Sequence, residues 1–187
     1  MGANRERVSW ITRLKTKIRN NKIKTAIGIL LVVVYYFSLP RQLFENNYST
    51  VIESQDGQLL GAKIASDGQW RFPESDSVPH KFQKCIVAFE DQHFYKHFGF
   101  NPISMYHAFK QNRKANRVVR GGSTLTQQVI RLHRKGKSRS YFEKGIEMIL
   151  ATRLEFRHSK DKILELYCAH APFGSNVVGL EMASWKY

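Results

Sequence analysis

The chain has 187 residues, enough for one domain with a sizeable core, and carries 30 Lys and Arg against 15 Asp and Glu, a formal net charge of +15. An excess of that size calls for an anionic partner. Its distribution along the chain argues against nucleic acid, because the most basic internal stretch, 110–140, holds no aromatic residue of the kind that stacks on bases.

Residues 1–24 form a basic tail with eight Lys or Arg against the single acid Glu6, nearly half of the net charge. From Thr25 to Leu39 no residue is charged, and Ile27, Ile29, Leu30, Leu31 and the run Val32, Val33, Val34 are strongly apolar. The stretch is shorter than the roughly 20 residues a spanning helix prefers, but Ile23, the stems of Lys22 and Lys24 and the interface-seeking Tyr35, Tyr36 and Phe37 lengthen it. Residues 25–39 are therefore expected to be a single transmembrane signal-anchor, with the tail cytoplasmic and everything after Pro40 exported. Ser38-Leu39-Pro40 lacks the small-x-small pattern of a cleaved signal, and so dense a basic tail argues against a buried core helix.

Residues 40–80 read as a membrane-proximal connector with β-hairpins. Strands are expected at 49–54, 58–65 and 69–72, separated by the turn signals Asp56-Gly57 and Asp67-Gly68. From residue 81 the pattern is helical. Phe82, Ile86 and Phe89 share a helix face that ends at Glu90. Leu125, Val129 and Leu132 do the same after Gly121-Gly122, with Ser123 as the expected N-cap. Further helices are expected from about Ser140 through Leu154, from Ser159 through Tyr167, and from Val177 on. Cys85 and Cys168 sit in apolar helical stretches and read as core residues rather than a disulfide.

Two stretches carry the chemistry. Glu90 ends an apolar helix, where a carboxylate at a cleft edge loses hydration and gains strength as a base; alone, it would read as a surface glutamate. Gly121 to Gln128 is a glycine turn opening into a helix of hydroxyls and amides, whose free N–H groups face an anion readily. Between Lys110 and Phe142 there are ten Lys or Arg and no acid. Glu147 follows on the face of Lys144, one turn later. Two acids around a basic cleft point to glycosyl or phosphoryl chemistry.

Glu-Asp-x-x-Phe-x-x-His-x-Gly at Glu90 to Gly99, Gly-Gly-Ser-Thr-x-Thr-Gln-Gln at Gly121 to Gln128, Lys-x-x-Glu at Lys144 to Glu147 and Lys-x-x-Ile-Leu-Glu-x-Tyr at Lys160 to Tyr167 resemble the peptidoglycan glycosyltransferase domain, glycosyltransferase family 51, of class A penicillin-binding proteins and their monofunctional relatives. The segment Ala171 to Glu181 is most similar to the 1C branch. The resemblance covers about residues 50–187 and implies a mainly α, lysozyme-like glycosyltransferase fold beside the bacterial cytoplasmic membrane, with the domain proper at 81–187 on the extracytoplasmic side. The implied reaction polymerises lipid II with inversion and releases undecaprenyl pyrophosphate. Glu90 matches the general base and Glu147 the second acid, while Ser123, Thr124, Gln127 and Gln128 match substrate-binding positions and Arg131, Arg139 and Lys144 match cations for the pyrophosphate. A divalent cation, magnesium or manganese, assists some members, and the implied partners are lipid II, the nascent glycan strand, the membrane and other cell-wall synthesis proteins.

Asn101, Glu143 and Cys168-Ala169 depart from the family pattern, which has Asp, Arg and Leu-Asn there. The family's fifth motif would follow Tyr187, so the chain reads as incomplete at its C-terminus and of uncertain activity alone. Two rival classes stay open: a lysozyme-like glycan hydrolase and an inactive membrane-tethered cell-wall binding fragment.

Overall fold

The computed structural model describes residues 21–75, 77–135, 137 and 140–187. The tail up to Asn20 and Arg139 lie outside the described residues. The chain divides into two compact units, Met1–Pro40 and Arg41–Tyr187.

In the first unit, helix α1 runs from Lys22 to Tyr36, 15 residues with none buried. Its apolar side chains stand open: Leu31 is 63% and Val32 68% exposed. Fifteen residues rise about 22 Å, less than the roughly 30 Å of a bilayer core. Among the described residues no helix is long and apolar enough to cross a membrane.

The second unit is mainly helical with two small sheets. Strands β1 (Thr50–Glu53) and β2 (Leu59–Lys63) pair antiparallel, Thr50 opposite Lys63, with a bulge between Ile52 and Glu53. The Asp56-Gly57 turn allows this because Gly57 takes φ +76°, which costs glycine nothing. The second expected hairpin does not form. The Asp67-Gly68 turn is made, but β3 (Trp70–Arg71) pairs in parallel with β4 (Val177–Val178), near the end of the chain. The buried Arg71 donates to the Asn47 carbonyl and to Asp67, so the connector, the turn and β3 are held as one piece. Around β4, Val177, Met182 and Ala183 pack with Trp70, Phe72 and Phe173. Residues 41–80 belong to the same compact unit as the helices.

The helices follow in order: α2 (His80–Glu90), a single 3-10 turn at Phe94–Lys96, α3 (Pro102–Ala115), α4 (Leu125–His133), α5 (Tyr141–Arg157), α6 (Lys160–His170) and α7 (Leu180–Lys186). Their starts are chemically marked. Asn101, Ser140 and Ser159 each accept a backbone N–H three residues on. Asn101, where the family has Asp, caps α3 with its amide oxygen at 3.1 Å from Ser104 N, and Asn serves there as well as Asp. α4 lies against α5 and α6, and Leu125, Val129, Ile130, Leu154 and Ile163 are fully buried between them.

Two apolar expectations fail on α2, which has no buried residue. Phe89 is 86% exposed although Phe82 and Ile86 on the same spacing are half-buried, and Cys85 is exposed. Helical spacing defines a face without saying whether anything covers all of it. Cys168 is buried as expected, both cysteines are free, and burial pushes the Cys168 thiol up to about 12.

Gly99 joins the acid-bearing segment to α5. It takes φ +82°, and a β-carbon there would stand 2.7 Å from Ala151 C and Thr152 N. Gly99→Ala is therefore expected to destabilise the fold by about 3 kcal/mol, from left-handed backbone strain plus overpacking. Urea unfolding followed by circular dichroism measures it, and wild-type stability would contradict the packing described.

Candidate active site

The first turn of α4 starts inside the protein, where its N–H groups need partners. Thr124 Oγ1 accepts from Gln127 N at 3.1 Å and Gln127 Oε1 accepts from Thr124 N at 3.1 Å, a complete capping box. Thr124, not Ser123, is the N-cap. Thr124 Oγ1 also donates to the Gly99 carbonyl at 2.6 Å. Leu125 N donates to Asp91 Oδ2 at 3.1 Å, and the same carboxylate oxygen takes a 2.8 Å hydrogen bond from His97 Nε2. Asp91 follows Glu90 directly, so the end of α2 is fastened to the start of α4.

Glu90 is half-buried at a cleft of about 650 Å³ lined also by Arg120, Gly122, Ser123, Gln128 and Arg131. Its Oε2 accepts from Gln128 Nε2 at 2.8 Å. A neutral amide thus orients this carboxylate, and no cation pairs with it among the described residues. Tyr167 lies nearby: burial first, then the Glu90 charge, push its phenol up to about 12. A second hollow, about 720 Å³ and more apolar, includes Phe82, Cys168 and Trp185 but none of the expected site residues. The expected residues gather at the polar cleft instead.

Release from capping leaves the Ser123 hydroxyl to accept from Lys144 Nζ at 2.9 Å and Arg131 Nη2 at 3.1 Å. Both cations hold Glu147, which is 6% exposed: Arg131 through Nε at 2.9 Å and Nη2 at 3.0 Å, Lys144 through Nζ at 3.0 Å. Lys144 also reaches Gln127 Oε1 at 3.1 Å. Burial pushes the Glu147 carboxyl up, but the hydrogen bonds and charges of Arg131 and Lys144 outweigh it and hold it below its ordinary value. The bond to Glu147 raises Arg131, while burial lowers Lys144 against the partly offsetting pull of Glu147.

The expected residues therefore divide. Glu90, Ser123, Thr124, Gln128 and Arg131 line the cleft, with Lys144 and Glu147 bonded behind Ser123 and Arg131; Thr124 and Gln127 are buried and also hold the turn. The Gln127 Nε2 has no acceptor among the described residues. Glu143, one of the departures from the family pattern, is bidentate on Arg134, with one bond at 3.0 Å. Lys160 pairs with Glu155 at 2.6 Å and sits 4.5 Å over the Phe94 ring. Sequence reasoning missed Asp91 and His97 as tethers, although both stand within the first motif.

The carboxylates do not form a cation cage. Glu147 is held by Arg131 and Lys144, one oxygen of Asp91 by His97 and Leu125 N, and among the described residues no three of His, Cys, Asp and Glu gather. A magnesium or manganese ion at this cleft would draw on the Glu90 and Asp91 carboxylates and on the phosphates of a bound substrate.

A carboxylate whose folded value is depressed contributes stability above its unfolded value, ordinarily 4.5 here, and that contribution is lost as pH falls through the folded one. Between about pH 5 and pH 3 the wild-type chain is expected to lose more stability than Glu147→Gln, because only the wild type must protonate this group. Urea midpoints across that range report it; parallel slopes would show Glu147 to be unperturbed.

A transglycosylase family model matches residues 56–187. The chain is 39% identical over 155 residues to penicillin-binding protein 1C of Escherichia coli (strain K12), covering 79% of this chain and 19% of that protein. It is 30% identical over 165 residues to a biosynthetic peptidoglycan transglycosylase of Ralstonia nicotianae, covering 87% and 70%, and 32% identical over 164 residues to penicillin-binding protein 1A of Aquifex aeolicus, covering 86% and 23%. It thus spans about a fifth of the two penicillin-binding proteins. With the match running over most of its length and through both acid-bearing motifs, the chain belongs to the transglycosylase family.

Proposed function

We propose that this chain polymerises lipid II into glycan strands and releases undecaprenyl pyrophosphate. The observation that carries the reading is the contrast between two acids: Glu90 at the polar cleft beside a neutral amide, Glu147 behind its wall and clamped by two cations. The names of its relatives, a biosynthetic peptidoglycan transglycosylase among them, support it.

Glu90 takes the proton from the 4-hydroxyl of the acceptor sugar as that oxygen attacks the anomeric carbon of the lipid-linked donor. The new C–O bond forms on the face opposite the departing group, and the anomeric carbon is inverted. The electron pair of the broken C–O bond leaves with the diphosphate, whose charge Arg131 and Lys144 offset, with Arg139 as a further candidate cation. Gln128 keeps one Glu90 oxygen occupied, which presents the other to the acceptor. Glu147 keeps the two cations charged and aimed. Ser123 holds their donors at the cleft wall.

The exposed apolar side of α1 and the basic tail before it support residues 25–39 as a membrane anchor, with the second unit outside the cytoplasmic membrane and next to its lipid substrate. The full chain is expected to float with vesicles of mixed anionic and neutral lipid at high salt, and a form lacking 1–40 to float less; equal flotation removes the anchor.

With lipid II in detergent, the chain is expected to form polymer and Glu90→Gln to form about 10²- to 10⁴-fold less, the usual range for loss of a general base. No polymer from the chain, or undiminished polymer from the variant, overturns the assignment. Release of soluble fragments from preformed glycan without consumption of lipid II makes the chain a hydrolase instead.

A further inference from the structure

The loop between α3 and α4 is fastened by one side chain. α3 ends at Ala115, Asn116 turns the chain with φ +48°, and the loop runs back alongside the helix it has left. There Asn112 Oδ1 accepts from Val119 N at 2.8 Å and from Arg120 N at 2.9 Å, while its Nδ2 donates to the Arg120 carbonyl at 2.9 Å. Both backbone groups of Arg120 are thus held by Asn112. Two residues on, Gly122 lies so close to α3 that a β-carbon would stand 3.0 Å from Met105 Cα and 3.2 Å from Ala108 Cβ. Between these fixed points, Arg120 lines the same cleft as Glu90, Ser123 and Arg131.

The cleft needs a cation there. Among the described residues, Arg131 and Lys144 against Glu147 leave one net positive charge even before Glu90 is counted, less than a diphosphate requires. Their donors are also largely committed. The ammonium of Lys144 has three N–H groups, and Ser123, Gln127 and Glu147 take all of them. Arg131 spends Nε and Nη2 on Glu147 and Ser123, which leaves its Nη1 edge. Arg134 is held by Glu143.

We propose that Arg120 is a further diphosphate-binding residue of this cleft and that Asn112 is the positioning residue that aims it. The proposal rests on the glycosyl transfer reading for the identity of its ligand, and its test does not depend on turnover. Inorganic pyrophosphate is titrated calorimetrically into the full chain, Arg120→Gln, Arg120→Lys, Asn112→Ala, Asn112→Asp and the double variant Asn112→Ala/Arg120→Gln. Arg120→Gln is expected to weaken binding about tenfold, the scale of one charge-assisted contact, and Arg120→Lys to restore part of it. Asn112→Ala weakens binding in the same direction, Asn112→Asp less because it keeps the acceptor for both N–H groups, and Asn112→Ala adds nothing once Arg120 is Gln. Trypsin provides a second readout, since Arg113, Lys114, Arg117 and Arg120 stand in or beside the loop: Asn112→Ala should be nicked there several-fold faster at an unchanged melting temperature. With lipid II, Arg120→Gln should raise KM and leave kcat nearly alone. Unchanged pyrophosphate affinity in Arg120→Gln, or no binding by the wild type, overturns the role of Arg120. An equal effect of Asn112→Ala in both backgrounds reduces Asn112 to a loop staple. Glu90→Gln separates the two readings: it should lose polymer yet bind pyrophosphate at least as tightly as the wild type, because a negative charge has left the cleft, so a failed polymerisation assay and a failed diphosphate site are told apart.

Discussion

A helix that begins in the interior leaves N–H groups with no partner of its own, and in this chain that requirement organises the site. The start of α4 is satisfied from three directions. Its own capping box pairs Thr124 with Gln127, Asp91 takes Leu125 N, and Thr124 Oγ1 ties the turn to the Gly99 carbonyl. Each partner brings an element with it. Asp91 brings the end of α2 and with it Glu90; Gly99 brings a loop whose missing side chain lets it lie on α5; the Gln127 oxygen brings Lys144, and with Lys144 comes Glu147. Two acids far apart in sequence thus meet one cleft system because one buried helix end needs acceptors.

The two carboxylates then differ through their neighbours, not their type. Glu90 has an uncharged donor, which orients it without neutralising it. Glu147 is buried, a position that disfavours its charge, and two cations reverse that preference. An acid meant to accept a proton does better in the first setting, because a cation bonded to it would oppose protonation. An acid meant to keep cations in place does better in the second, because its charge is then assured at neutral pH. Neither setting can be exchanged for the other by moving a single side chain, since Gln128 and Arg131 both belong to α4 and are fixed by the same buried first turn.

What could be read in the sequence was local. The glycine pair, the acid at a helix end and the Lys144-to-Glu147 spacing all state their geometry within one or two turns, and the structure repeats them. The N-cap was legible too: Thr124-x-x-Gln127 fits a capping box, whereas Ser123-x-x-Thr126 does not, and the preference for Ser123 overlooked that third residue. What stayed hidden depends on segments distant in sequence. The parallel pairing of Trp70 with Val177 has no local signal, because a turn that looks like a hairpin is compatible with a strand that leaves it. Phe89 repeats the spacing of Phe82 and Ile86, yet spacing reports a face and only packing reports its cover. Asn112 gave no cue, since an asparagine late in a helix reads as solvated until the returning loop is seen.

Counting charge in the basic stretch also gives a different answer from placing it. The ten Lys and Arg between Lys110 and Phe142 look like a continuous positive field, but Arg131 and Arg134 are each bonded to a glutamate and Lys135 to Asn46. An arriving anion must therefore compete with Glu147 or join it. Competition is unfavourable: drawing Arg131 and Lys144 away would leave a buried carboxylate without a partner, which costs several kcal/mol, on the order of 3–5 for a broken buried pair. The anion is better accommodated when Glu147 keeps its bonds and the ligand takes the donors still open. Those lie at the cleft side of Arg131 and along the rim where the loop carries Arg120, so the acid that seems to oppose an anionic ligand instead fixes where its charge can sit.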